Sequence, residues 1–158
     1  MSLRRRLEAS TAPEEPAAVG LRVLGCCRRW GSAGAGPWGG NPGPAAAGYW
    51  ITEYGKILHW KGVFLGIKTC NEAEYDAVEF ALNGAINLGL EYIDLRSDSK
   101  LVVEQLNGNW KISNPVRVGF IKDLLHCFKK ITFTHIPREQ NQVADFICNI
   151  TLNEQEGK

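Results

Sequence analysis

A mixed α/β sheet carrying helices on its faces is the fold class this sequence predicts, and three observations predict it. Residues 47–54 alternate, and residues 56–67 carry Ile57, Leu58, Trp60, Val63, Phe64 and Leu65 beyond a turn at Gly55, as strands of an antiparallel meander do. Residues 71–88 then switch period: Ala73, Ala77, Val78, Ala81, Leu82, Ala85 and Ile86 fall on one helical stripe. Beyond them, short apolar runs at 92–95 and 131–136 are interleaved with further amphipathic segments. Strands followed by alternating helices and strands describe a mixed sheet with helices packed on it.

The chain has 158 residues, 44% of them hydrophobic, enough for one domain with a proper core and some surplus. No run approaches the roughly 18 apolar residues of a membrane span, so a soluble protein is expected. The net charge of +1 is unevenly spread, because residues 1–38 hold six arginines against three glutamates and leave 12 Lys/Arg against 14 Asp/Glu for the rest. A weakly acidic body does not suit a generic nucleic-acid binder, but it is compatible with carboxylates gathered around a metal. Five cysteines without paired C-x-x-C spacing argue against a zinc site and for reduced thiols inside a cell.

Residues 1–38 are rich in Ala, Gly, Pro and Arg, and composition predicts a disordered or poorly structured extension. Residues 21–27 are its one strand-like run. Arg4, Arg5 and Arg6 invite a targeting reading, which Glu8, Glu14 and Glu15 interrupt. From Gly39 the punctuation is orderly, and residues 39–152 are expected to form the domain, with 153–158 as a tail. Gly39 to Pro44 is a dense turn signal. Gly89 stops the first helix as a C′ residue. Residues 92–98 read as a strand delivering Asp98 to a sheet edge, and a helix follows from Lys100 until Asn107-Gly108-Asn109 breaks it. Ser113-Asn114-Pro115 opens a third helix through Val118, Ile121, Leu124, Leu125 and Phe128. Residues 131–136 make a strand, Pro137 a turn, and residues 141–149 a last helix.

The acids stand at informative places on this framework. Glu74 lies in the first turn of the first long helix, Asp98 at the end of its strand, and Asp145 at the start of the last helix, after His135 and Asn141. Carboxyl ends of central strands are where α/β sheets place chemistry, and converging carboxylates suit hard divalent ions in phosphoryl hydrolysis. Each acid alone is equally well a helix N-terminal acid. Asp98 with Ser97 and Ser99 forms a run of N-cap residue types.

Four motifs lie in one register: Gly40-Asn41-Pro42-Gly43-Pro44, Thr69-Cys70-Asn71-Glu72-Ala73-Glu74-Tyr75, Arg96-Ser97-Asp98-Ser99 and the run from His135 through Asn141 to Asp145. In order and spacing they resemble type 1 ribonuclease H domains, most closely the compact archaeal and bacterial branch, its plant relatives and those of some retroelements. The resemblance implies a ribonuclease H-like fold, a five-stranded mixed sheet of three antiparallel strands followed by two parallel ones with helices on both faces. It implies endonucleolytic hydrolysis of the RNA strand of RNA/DNA hybrids with two Mg²⁺ or Mn²⁺ ions. By the same resemblance Glu74, Asp98 and Asp145 are the metal-binding catalytic carboxylates and His135 aids proton transfer or product departure. Asn41, Thr69 and Asn71 would contact the hybrid, and Asn141 would orient the loop before Asp145.

One departure stands out. The family begins with a strand ending in Asp-Gly, its aspartate six residues before the asparagine of the Asn-Pro-Gly motif, and here that position is Ala35. The first strand is therefore expected to be atypical or missing, or an upstream segment takes its place in an altered register. The metal pair is expected to be weakened. The alternative is an inactive nucleic-acid-binding or protein-interaction module on the same fold. Neither a basic helix nor a separate hybrid-binding domain is evident. Lys100, Lys111, Lys122 and Arg138 are candidate phosphate contacts or plain surface charges, and Trp60 and Trp110 are expected to pack in the core or at its rim, the alternative being stacking near nucleic acid. Weak, strongly salt-dependent hybrid binding by a monomer is the expectation.

Overall fold

The computed structural model describes residues 16–27 and 42–157. The strands are β1 (Val19–Cys27), β2 (Gly43–Glu53), β3 (Lys56–Lys68), β4 (Tyr92–Ser97) and β5 (Lys130–His135). The helices are α1 (Cys70–Asn87), α2 (Lys100–Leu106), α3 (Pro115–Leu125) and α4 (Gln142–Gln155), with a 3₁₀ turn at Arg138–Gln140. One sheet contains all five strands in the order β3-β2-β1-β4-β5. The pairs β1–β2 and β2–β3 are antiparallel, and β1–β4 and β4–β5 parallel, the mixed arrangement expected.

Local chemistry sets the elements. The β2–β3 hairpin turns through Tyr54 and Gly55, both at positive φ (51° and 75°), as a tight two-residue turn requires. Thr69 caps α1 in a reciprocal capping box: its hydroxyl accepts from the Glu72 N–H at 3.1 Å, and the Glu72 carboxylate accepts from the Thr69 N–H at 3.2 Å. Asn114 caps α3 with Pro115 in its first turn. Strand alternation then divides the core. Leu21, Val23, Tyr49, Ile51, Ile93 and Leu95 face the layer formed by α1, α2 and α3 through Val78, Leu82, Val102 and Ile121. Leu24 and Ala46 face Ala144, Cys148 and Leu152 of α4 on the other side.

Two expectations need correction. The boundary at residue 38 cuts through the sheet, because Val19–Cys27, placed with the extension on composition, is the central strand β1. Nine residues are too few to offset the Ala, Gly, Pro and Arg around them, yet Leu21 and Val23 are fully buried between β2 and β4. The first strand is thus present, supplied from upstream. Trp60 and Trp110, expected in the core or at its rim, are 57% and 44% exposed. Lys100 lies over the Trp110 ring at 5.8 Å.

Candidate active site

Parallel pairing brings the carboxyl ends of β1, β4 and β5 to one edge of the sheet. Val23 pairs with Ser97, and Ser97 with His135, so the next residues of the first two strands, Leu24 and Asp98, emerge side by side. Asp98 does not cap α2. Ser99 does, accepting from the Val102 N–H, while the Ser97 hydroxyl accepts from the Ser99 N–H at 3.1 Å. With both serines spent on the turn, the Asp98 carboxylate is left to the cavity. Its Oδ1 is buried and accepts no hydrogen bond from any described residue.

Glu74, expected in the first turn, enters from the second turn of α1, whose first-turn acid is Glu72. Neighbouring Glu72 is used by the capping box, which leaves Glu74 as the inward acid of the pair. Its Oε2 accepts the Gly25 N–H at 3.2 Å. This contact needs glycine, because a Cβ on Gly25 would lie 2.1 Å from the Ala73 carbonyl and 2.3 Å from the Glu74 nitrogen. Leu24, Gly25, Cys26, Cys27, Cys70, Glu74, Asp98 and Arg138 together line a cavity of about 280 Å³.

Asp145 sits beside this cavity without lining it. Arg138 stands between, bordering both the cavity and the hollow formed with Glu139, Gln142 and Asp145. Its guanidinium is 3.8 Å from Asp145 Oδ1, and Asn149 donates to Oδ2 at 3.2 Å. Asn141 is 1% exposed and ties the loop to the central strand, its amide donating to the Val23 carbonyl at 2.8 Å. His135 is exposed at the end of β5. Thr69 is the α1 cap, and Asn71 lines a separate hollow with Lys68, Ser113, Asn114 and Arg117. Arg117, not singled out from the sequence, pairs with Asp76 and lies 2.7 Å from Glu79. Asn41 and Ala35 lie outside the described residues.

Electrostatics mark the cavity as costly to charge. Burial pushes the Glu74 carboxyl well above its ordinary range, the Asp98 charge pushes it further, and the Gly25 N–H pulls it back. Burial also raises Asp98, opposed by the Arg138 guanidinium and the Asn141 side chain. A carboxyl whose folded pKa is raised stabilises the fold below its unfolded value, here 4.5 for Glu74, and that contribution is lost as pH rises through the folded value. Glu74→Gln, which keeps an acceptor for Gly25, should therefore raise the Tm of the metal-free protein by a few degrees at pH 7–8. The gain should vanish once the medium is acid enough to protonate Glu74 in the parent. Thermal denaturation across pH measures it, and a constant difference at all pH values would contradict it.

A pair of divalent ions does not fit this edge. Among the described residues no group of three or more His, Cys, Asp or Glu side chains is placed to hold a metal. Glu74 and Asp98 share the cavity, but the side chain between the strand ends is Leu24, 2% exposed and acceptor-free. Hard cations need oxygen ligands there.

The family described as reverse transcriptase-like matches residues 35–151. A ribonuclease HI of Halobacterium salinarum is 40% identical over 122 residues, which cover 73% of this chain and 60% of that protein. The chain thus spans less than two thirds of that relative's length. The crystal structure of the RNase H1 from the same archaeon superposes with a TM-score of 0.77 at 35% identity, over 87% of this chain and 99% of that one. LC11-RNase H1, solved in complex with an RNA/DNA hybrid, superposes at 0.75 with 30% identity, over 87% and 98%. No described helix is long and apolar enough to cross a membrane. The sheet order, the carboxylates at its edge and these likenesses agree: the chain belongs to the reverse transcriptase-like family and carries a compact ribonuclease H-like domain, related to archaeal and bacterial ribonucleases H.

Proposed function

We propose that this chain is an RNA/DNA-hybrid-binding ribonuclease H-type module whose metal-dependent hydrolysis of the RNA strand is severely impaired. The observation that carries this reading is Leu24-Gly25 in β1, just past the last residue paired with β4, where the family's Asp-Gly would stand beside Asp98. Gly25 keeps the close approach to α1 that the glycine provides, while Leu24 removes the carboxylate. In this reading the pairing of β1 with β4 puts the empty position at Leu24, where spacing to Asn41 alone puts it at Ala35.

Hybrid binding is supported by the groups left around the edge. In this reading Asn71 and Asn41 approach the minor groove, where the 2′-hydroxyl distinguishes RNA. Lys68, Asn114 and Arg117 beside Asn71 form a polar hollow that also holds Glu72 and Asp76, so backbone phosphate would have to compete with Asp76 and Glu79 for its two cations. Asn141 positions the loop that carries Arg138 and Asp145, and His135 stands ready at the rim. A second reading, slow hydrolysis with a single cation held by Glu74 and Asp98 alone, is favoured by the unsatisfied Asp98 Oδ1 and by the cavity these two acids share.

Fluorescence anisotropy with hybrid, double-stranded RNA and double-stranded DNA at about 50 and about 200 mM salt tests binding. Preference for the hybrid, with steep loss at the higher salt, is expected. Cleavage in Mg²⁺ or Mn²⁺ should not exceed that of Glu74→Gln. Cleavage that Glu74→Gln abolishes would establish the second reading, and equal weak binding to all three duplexes would refute hybrid recognition.

A further inference from the structure

Four of the five cysteines gather at the end of the sheet that carries Glu74 and Asp98. Cys26 and Cys27 end β1, Cys70 begins α1, and Cys148 lies in α4. Cys127 follows α3 at the opposite end of the sheet, just before β5 begins. Cys148 is fully buried and its thiol donates to the Leu24 carbonyl at 3.2 Å, so it is held in the core. Cys27 and Cys70 differ. They come from two elements, 43 positions apart in sequence, yet their sulfurs are 3.3 Å apart, and Cys70 is exposed to solvent while Cys27 is half-buried behind it. Both line the carboxylate cavity.

We propose that Cys27 and Cys70 form a dithiol modification site, oxidised by a peroxide or a small-molecule disulfide to a bridge that fastens β1 to the first turn of α1. With hydrogen peroxide, the exposed Cys70 sulfur attacks one oxygen, giving a sulfenic acid and one water. The Cys27 sulfur then displaces the sulfenic hydroxyl, forming the S–S bond and releasing a second water. Two thiols lose two hydrogens and two electrons, and the peroxide is reduced to two waters. The geometry needs the sulfurs to close from 3.3 Å to about 2.05 Å. Burial and the Cys70 contact push the Cys27 thiol up to about 12, which keeps it protonated and leaves the first attack to the exposed Cys70. The bridge closes the chain around β2 and β3 and restrains the turn that carries Thr69, Asn71 and Glu74. This site is independent of whether the module cleaves or binds a hybrid.

The full chain, reduced and freed of reductant, is treated with hydrogen peroxide or with glutathione disulfide. Remaining thiols are alkylated and the digest is mapped by mass spectrometry. The expected product is one peptide pair joined through Cys27 and Cys70, two hydrogens lighter, restored by dithiothreitol, with a Tm several degrees above the reduced protein's. Cys70→Ser abolishes it and Cys127→Ser leaves it unchanged. A bridge mapped to Cys26–Cys27 or Cys26–Cys148, or Cys27 and Cys70 both recovered alkylated after oxidation, overturns the assignment. Mapping the parent alone decides the matter if Cys70→Ser does not fold.

Discussion

Leu24→Asp should raise hybrid cleavage in Mn²⁺ or Mg²⁺ by about 100-fold or more over the parent. The substitution places a carboxylate where β1 emerges beside Asp98, next to Glu74, and so supplies the oxygen donors that the apolar side chain withholds. Without metal the variant should be less stable than the parent, because a third buried acid joins two whose protonated forms are already favoured. Added Mn²⁺ should then raise its Tm in proportion to binding, while the parent's Tm moves little. Calorimetric titration with Mn²⁺ reads the same change without substrate. Ala35→Asp serves as the comparison and should alter neither affinity nor cleavage. Should Ala35→Asp restore activity and Leu24→Asp not, the assignment of the empty position to β1 would be wrong.

Gly25→Ala should destabilise the fold by about 3 kcal/mol or more, lowering Tm by about 10 °C. The added methyl meets backbone on α1, the Ala73 carbonyl and the Glu74 nitrogen, and neither can rotate away as a side-chain tip could. Relief requires β1 and the start of α1 to separate, which also breaks the 3.2 Å bond from the Gly25 N–H to Glu74. An unchanged Tm would mean that the two elements are less closely apposed than they stand here. The result bears on function as well as stability, since the same approach holds Glu74 against the strand that carries Leu24.

Most of the framework was written into local patterns. The apolar stripe of α1 was legible because a three-and-four period survives any tertiary context, and Ala73, Ala77, Val78, Ala81, Leu82 and Ala85 are all buried. Ser99 and Asn114 stood in runs of capping residues that marked helix starts, whereas the capping box at Thr69 was found only in the structure. Glu74 and Asp98 could be located from the motifs around them, and they do share a cavity. The central strand was not legible, since a nine-residue run inside a biased segment carries no signal of which strands it will pair with.

The sequence by itself determined the order of the elements after β1 and the family resemblance, because periodicity, caps and motifs are local properties of the chain. Only the tertiary structure decided that Val19–Cys27 is the middle strand, that Leu24 stands beside Asp98, and that Cys27 meets Cys70. Those facts depend on register between strands and on the packing of β1 against α1. Long-range pairing of this kind is fixed by burying Leu21 and Val23 together with Ile93 and Leu95, and no single stretch of sequence contains it.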